Sequence, residues 1–262
     1  MSHVSAQKSA LASSALAPPA AGPEPCELSL VVPAFDEEPN LRLLYERVVA
    51  VFGARSGWEL VLVDDGSRDG TARVMRSLAL ADPRVVAVFF EKNCGQTAAL
   101  AAGVREARGN RIATLDADLQ NDPADLPALL ALLEGHDAVV GYRLRRRDAF
   151  VRRASSRFAN WVRNRISGDH IRDTGCSLKV FRAEVLRTIP WFEGMHRFLP
   201  TLLRYQGFRV IEAPVGHHPR HAGQSKYGIR NRAWRAFKDL LAVRWMRGRM
   251  IRSSVREVLR AR

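Results

Sequence analysis

Four short apolar runs that each close on polar side chains constrain this chain more than any other feature. They are LSLVVP (Leu28 to Pro33), ELVLVDD (Glu59 to Asp65), VVAVFF (Val85 to Phe90) and RIATLD (Arg111 to Asp116). Helix-like stretches separate them. NLRLLYERVVAVF puts Leu41, Leu44, Tyr45, Val48 and Phe52 on one helical face, with Pro39 suited to the first turn. Gly66 and Gly70 bracket a turn before a helix over about Thr71 to Leu80, and QTAALAAGVREA reads as an Ala-rich helix. Strands alternating with helices predict an α/β fold on a mostly parallel sheet. Ligands of such sheets sit outside the carboxyl ends of the strands. Polar clusters fall at those ends: Phe35 to Glu38, Asp64 to Asp69, Asn93 to Thr97 and Asp116 to Asp122. The pattern predicts one site on one edge.

Charge narrows the class of ligand. Against 27 Asp and Glu stand 41 Lys and Arg, a formal net charge of +14. That excess suits an anionic partner: nucleic acid, a phosphorylated small molecule or an anionic membrane. The basic stretches carry no recognised nucleic-acid motif, and the acidic first half opposes a polyanion, so a non-enzymatic nucleic-acid-binding protein is the remote alternative. Cys26, Cys94 and Cys176 lie far apart without C-x-x-C spacing, which fits a reducing cytoplasm and argues against a zinc site or disulfide framework. Residues 1–25 are rich in Ala, Ser and Pro. Serines break the apolar stretch after Lys8, so the segment reads as a disordered tail rather than a signal peptide. No apolar run approaches the ~20 residues that span a bilayer.

The stretch ATLDADLQNDP, Ala113 to Pro123, gathers carboxylates after an apolar strand. Asp116, Asp118, Gln120 and Asp122 alternate, so their oxygens can face one place. Two carboxylates and an amide are the hard oxygen ligands that Mg²⁺ or Mn²⁺ takes. A cation there neutralises a diphosphate and stabilises it as a leaving group. The plainer reading has Asp122 capping the helix after Pro123 and the other acids solvated. Asn93 is read either as a sugar-pocket residue, with Gly95 and Gln96, or as a helix cap.

VVPAFDEE, VLVDDGSRDGT, KNCGQTAAL and LDADLQNDP, in this order and spacing, resemble the family 2 glycosyltransferases of GT-A fold. Within that family they look most like the polyprenyl-phosphate sugar transferases, the branch of dolichol-phosphate mannose synthase. The resemblance runs from about Leu28 to Tyr227. It implies a GT-A domain over 26–228, between the Ala/Ser/Pro-rich tail over 1–25 that composition gives and a basic amphipathic helical tail over 229–262 that the residue pattern gives. It further implies that Pro33, Phe35 and Glu37 hold the nucleoside and ribose, and that Val63 and Asp65 contact base or ribose with Asp64 alongside. Asp116, Ala117 and Asp118 would form the DxD motif, Asp118 binding Mg²⁺ or Mn²⁺ directly with Gln120.

The second half fits an acceptor phosphate. By the resemblance, Arg143, ending the GYR strand, reaches donor or acceptor phosphates. Arg152 and Ser156, spaced by four, look like the acceptor-phosphate pair, although Arg153 with Ser155 or Arg157 would also serve. Arg220, Gly223, Ser225 and Lys226 match an R-x-x-G-x-S-K loop that closes over both phosphates. Asp173, in RDTGCSLKVFR, orients the sugar or an arginine. A phosphate acceptor, with a second pKa near ~6, needs no strong base. If the acceptor were instead a hydroxyl, as in envelope polysaccharide or lipopolysaccharide synthesis, Asp173 would be the base. His217, His218 and His221 read as loop residues.

A helix from about Ile229 carries Trp234, Phe237, Leu241 and Trp245 on one face. Such a face suits either an anionic membrane surface, with Arg244, Arg247 and Arg249 toward the lipid, or packing on the domain. Some members of the branch carry transmembrane helices beyond this point, so stable anchoring here calls for an integral membrane partner, or binding is reversible. The expected activity is metal-dependent, inverting transfer of a hexose from GDP-mannose or a UDP-sugar to undecaprenyl or dolichyl phosphate. It would take place peripherally on the cytoplasmic face of the membrane.

Overall fold

A computed structural model describes residues 25–143, 163–219 and 229–249. Its centre is a seven-stranded sheet. The elements run β1 (Leu28–Ala34), α1 (Glu38–Phe52), β2 (Trp58–Asp64), α2 (Thr71–Ala81), β3 (Val85–Phe89), α3 (Gln96–Glu106) and β4 (Arg111–Thr114). They continue as α4 (Leu126–Leu132), β5 (Ala138–Arg143), β6 (Lys179–Arg182), α5 (Ala183–Arg187), α6 (Leu199–Tyr205), β7 (Val210–Val215) and α7 (Ile229–Arg249). The strand order is β3-β2-β1-β4-β6-β5-β7. Only β6 runs against its neighbours, so the chain returns to the carboxyl edge just before Lys179.

Strand alternation splits the core into two layers. Leu30, Val32, Leu60 and Leu62 face α1, α2 and α4, together with Leu41, Leu44, Met75 and Leu129. Val31, Val61 and Val63 face α3 and the later helices, together with Ala99, Leu100, Leu186 and Leu202. The Ala-rich character of α3 has a packing cause. A Cβ on Gly103 would strike the side chains of Val31 and Val63, so the helix lies close on the sheet and its first turn reaches the carboxyl edge.

The expected elements are present with small shifts at their ends. The helix after Gly70 extends to Ala81, and β4 stops at Thr114, leaving Asp116 beyond the strand. Asp122 does cap the turn after Pro123, accepting from the Ala124 N–H at 2.9 Å. Asn93 does not cap α3. Gly95 holds that position, and the Asn93 amide donates instead to the Asp65 carboxylate at 3.0 Å. Gly66 is held at φ +70, and a Cβ there would meet the Lys92–Asn93 backbone. This turn therefore needs glycine for both conformation and space.

On α7 the residues that pack lie off the face of Phe237, Leu241 and Trp245. Leu240 and Val243 are 5% and 0% exposed and join the second core layer, while Leu241 and Trp245 are 46% and 65% exposed. Arg244 and Arg247, expected toward lipid, donate instead to the Ile166 and Ser167 carbonyls at 2.9 and 3.2 Å. Those carbonyls end the helical stretch over 163–167, and capping them with cations satisfies orphan acceptors. Among the described residues, no helix is long and apolar enough to cross a membrane.

Candidate active site

The carboxyl edge carries the polar clusters, and its backbone is strained there. Among the described residues, the non-glycine ones with positive φ are Asp36 (+50) and Leu119 (+61), both on this edge. Aspartate tolerates that conformation through local hydrogen bonds, and Asp36 Oδ1 accepts from the Arg68 N–H at 2.8 Å. Leucine has no such help, at a cost of about 1–3 kcal/mol. Burial of its side chain holds Leu119 in place, and the turn it makes brings Gln120 back toward Asp118. The Gln120 N–H donates to Asp118 Oδ1 at 3.2 Å.

Asp116 is anchored from two directions. Gln96, the first residue of α3, donates its amide to Asp116 Oδ1 at 2.8 Å, and the Asp116 N–H donates to Ser177 Oγ at 3.3 Å. Burial of the carboxyl and the neighbouring Asp118 charge push the Asp116 pKa up to about 6. A divalent cation would relieve that repulsion. Among the described residues, no three His, Cys, Asp or Glu side chains converge as a metal-ligand group. A pair of carboxylates still fits Mg²⁺ or Mn²⁺, which commonly takes one or two carboxylates and completes its shell with water and substrate phosphate.

The first two strands supply the neighbouring wall. Asp64 Oδ1 accepts from the Ser67 N–H at 2.9 Å, closing the turn after β2. Both Asp65 oxygens are taken up by the 93–95 loop: Oδ1 accepts from the Cys94 N–H at 2.7 Å and Oδ2 from the Gly95 N–H at 2.9 Å. Burial raises the Asp65 pKa. Glu37 Oε2 accepts from the Asn40 amide at 2.6 Å, and its N–H donates to Thr71 Oγ1 at 2.8 Å. Pro33 and Phe35 are half-buried at the end of β1. The Val63 and Ala117 side chains are buried in the core, so contact with a ligand there would come through backbone atoms.

The opposite wall joins β5, β6 and the loop before β6. Arg143 and Asp173 form a two-pronged ion pair, with Nε–Oδ2 at 2.6 Å and Nη2–Oδ1 at 2.8 Å. The Gly175 N–H also donates to Asp173 Oδ1 at 3.1 Å. Ser177 Oγ donates to Asn121 Oδ1 at 3.0 Å, tying this loop to the acidic turn. Lys179 is buried, its ammonium donates to the Cys176 carbonyl, and desolvation lowers its pKa. Beyond β7 the His218 N–H donates to the Gln120 carbonyl at 2.9 Å. The chain therefore reaches residue 219 beside the acidic turn. Arg152, Ser156, Arg220 and Lys226 lie outside the described residues.

A pocket opens between these walls, lined by Gln96, Asp116, Ser177, Lys179, His196 and Arg197 among others. Sequence reading did not single out the last three. The signal for Lys179 was a lone cation inside an apolar strand, SLKVF. His196 and Arg197 carried no periodic or motif signal, because a short 3₁₀ turn, Met195–Arg197, delivers them.

The fold is a mostly parallel seven-stranded sheet flanked by helices, with Asp116 and Asp118 beyond its central strand. Solved structures share it. Mannosyltransferase PcManGT from Pyrobaculum calidifontis, in complex with GDP-Man and Mn²⁺, superposes with a TM-score of 0.61 at 23% identity, over 88% of this chain and 66% of that one. Glucosyl-3-phosphoglycerate synthase from Mycobacterium tuberculosis, in complex with Mn²⁺, UDP-glucose and phosphoglyceric acid, gives 0.61 at 18% identity, over 87% and 81%. At these identities the likeness concerns the fold.

Residues 29–189 match the family model for glycosyl transferase family 2, and the chain belongs to that family. It is similar to dodecaprenyl-phosphate galacturonate synthase of Rhizobium johnstonii, 43% identical over 224 residues, 83% of this chain and 66% of that protein. It is also similar to undecaprenyl-phosphate 4-deoxy-4-formamido-L-arabinose transferase of Aeromonas hydrophila, 37% identical over 205 residues, 77% and 63% respectively. The chain spans a little under two thirds of the length of these curated relatives.

Proposed function

We propose that this chain is an inverting glycosyltransferase that moves a sugar from a nucleoside-diphosphate donor to a polyprenyl phosphate. The observation that carries the reading is the Asp116–Asp118 pair beyond β4, with Arg143 near enough to feel the Asp116 charge. The names of the related proteins support a polyprenyl phosphate as acceptor.

In this reading Asp116 and Asp118 hold Mg²⁺ or Mn²⁺, with Gln120 beside them, and Gln96 keeps Asp116 turned toward the site. The cation, when bound, supplies charge neutralisation to the departing diphosphate. Pro33, Phe35, Glu37, Val63, Asp65 and Ala117 line the nucleoside side. Asp173 holds the Arg143 guanidinium flat, so its free edge meets phosphate oxygens. Arg220 and Lys226 add positive charge between the donor and acceptor phosphates, and Arg152 with Ser156 receives the acceptor phosphate. An acceptor phosphate oxygen attacks the anomeric carbon as the bond from that carbon to the diphosphate oxygen breaks. The electron pair leaves with the nucleoside diphosphate, and the anomeric configuration inverts. The protein's share is mainly orientation and electrostatics.

A hydroxyl acceptor would need a base. Asp173 is poorly suited, since both its oxygens already accept hydrogen bonds from Arg143 and Gly175. The exposed Leu241 and Trp245 on α7 support work at an anionic membrane surface; the cytoplasmic side and an integral membrane partner are part of the same proposal and rest on the acceptor assignment alone.

The test is a transfer assay on the purified chain with Mg²⁺ or Mn²⁺, undecaprenyl and dolichyl phosphates, and a panel of GDP- and UDP-sugars. A glycolipid that disappears in Asp118→Ala is the expected result. Donor hydrolysis without lipid product would move the assignment to a hydroxyl acceptor, and no donor binding would end the enzyme reading.

A further inference from the structure

The resemblance assigns Asp65 to the base or ribose, but its carboxylate is taken up by the 93–95 loop. Oδ2 accepts from the Asn93 amide at 3.0 Å and from the Gly95 N–H at 2.9 Å, and Oδ1 accepts from the Cys94 N–H at 2.7 Å. The Asn93 amide also donates to the Asp65 carbonyl at 3.2 Å. Asp65 is 3% exposed, so water competes little for these bonds. Hydrogen bonds to an ionised carboxylate are roughly twice as strong as neutral ones. The loop is pressed from below as well, since the Lys92 and Asn93 backbone lies against Gly66.

That loop leads straight into α3. Gly95 holds the N-cap position at φ +92 and brings no side-chain cap of its own. A helix start leaves N–H groups without partners inside the helix, and negative charge beside it is stabilising. Asp65 supplies that charge, and an acceptor for Gly95, from the end of β2. The next residue is Gln96, whose amide donates to Asp116 Oδ1 at 2.8 Å. Farther along, Gly103 lies close on Val31 and Val63, so the sheet sets the body of the helix while the loop sets its start. The first turn has a second anchor in Thr97, whose Oγ1 accepts from the Gly194 N–H at 3.1 Å. Loss of Asp65 therefore loosens Gln96 without releasing the helix.

We infer that Asp65 is a positioning residue for the cation site: through residues 93–95 it fixes the first turn of α3, so that Gln96 holds Asp116 in place. The inference rests on the transferase reading above and gives Asp65 a task beyond the nucleoside wall. The nucleoside and cation ends of the site are then one connected unit.

The experiment measures binding of Mn²⁺ alone to the full chain, from the electron paramagnetic resonance signal of free Mn²⁺. Nucleotide is left out, so no base or ribose contact enters. In Asp65→Asn the dissociation constant should rise roughly tenfold, the lower end of what groups orienting metal ligands govern. Gln96→Leu should raise it at least as much. The double variant should match Gln96→Leu alone, because both changes reach Asp116 through one amide. Asn93→Ala removes a single donor to Asp65 and should act in the same direction by less; it carries the test should Asp65→Asn fail to fold. With donor and acceptor present, saturating Mn²⁺ should restore most of the rate. Unchanged Mn²⁺ binding in Asp65→Asn overturns the inference, and weakened UDP or GDP binding beside it would return Asp65 to the base or ribose. A multiplied loss in the double variant also overturns it. So does a rate loss that saturating Mn²⁺ leaves in place, which would make Asp65 part of the fold alone. If the native chain binds no Mn²⁺, the cation site of the transferase reading falls first, and this inference falls with it.

Discussion

Asp173 grips Arg143 with both carboxylate oxygens, at 2.6 and 2.8 Å, joining the end of β5 to the loop that enters β6. The two side chains are 13% and 15% exposed, so the pair is poorly screened by solvent. Two residues that resemblance brought forward separately are thus one unit. Asp173→Asn and Arg143→Gln should each lower kcat/KM by about ten- to a hundredfold, and the double variant should be little worse than either single one. Steady-state kinetics on all four proteins form the cycle. Abolished turnover in Asp173→Asn alone, with Arg143→Gln still active, would make Asp173 a base and favour the hydroxyl acceptor.

Gln96 tests the cation site without touching its ligands. Its amide fixes Asp116 at 2.8 Å, and groups that orient metal ligands typically govern 10–100-fold of metal affinity. Gln96→Leu should raise the Mn²⁺ concentration for half-maximal activity by roughly that factor. Saturating Mn²⁺ should restore most of the rate. A cation titration that superposes on the native curve would separate Asp116 from metal binding.

What could be read from the sequence follows from periodicity. The apolar runs and helical faces lie in regular elements, where the residue spacing itself states which side is buried, and so β1 to β4 and α1 to α3 were legible. The acidic edge was legible because polar residues cluster where strands end. Three things were not. The reversal of β6 depends on a return of chain whose direction no periodicity records. His196 and Arg197 reach the site on a turn fixed by tertiary anchors, Met195, Phe198 and Thr97. On α7 the apolar residues are spread around the helix, so pattern alone could not tell whether Leu240 and Val243 or Leu241 and Trp245 would be buried. The sheet layer they meet decides it.

Asp82 gives the fold a defined acid limit. It accepts from the Arg84 guanidinium at 2.8 Å and from the Tyr45 hydroxyl at 2.9 Å, where α2 ends. Hydrogen bonding to Arg84, against the opposing cost of burial, holds its pKa at about 2. The unfolded chain titrates such a group near ~3.9. The unfolded state therefore takes up the proton first as pH falls. The stabilisation, on the order of 2 kcal/mol, is whole above about pH 4 and is lost as pH drops toward 2. Asp82→Asn should lower the melting temperature by a few degrees at pH 7, and the gap should narrow below about pH 4. Thermal melts at stepped pH read this directly, and a gap that stays constant down to pH 2 would refute it.

The exposed side of α7 separates docking from folding. Trp245 and Leu241 stand 65% and 46% exposed, one turn apart, with the Arg249 guanidinium 5.7 Å from the Trp245 ring centroid, while Leu240 and Val243 hold the helix to the core. Serine at 241 and 245 removes apolar surface that the folded chain does not bury, so the melting temperature should stay within about a degree or two. Binding to vesicles of anionic phosphatidylglycerol should fall by about tenfold or more, since burial of each large apolar side chain is worth about 1.5–3 kcal/mol. Leu240→Ser should do the reverse, lowering the melting temperature through the core. Co-sedimentation with phosphatidylglycerol and phosphatidylcholine vesicles, run beside thermal melts, distinguishes the two faces. Unchanged vesicle binding in the double serine variant would move the membrane contact away from α7, and the acceptor lipid would then have to reach the site over another surface.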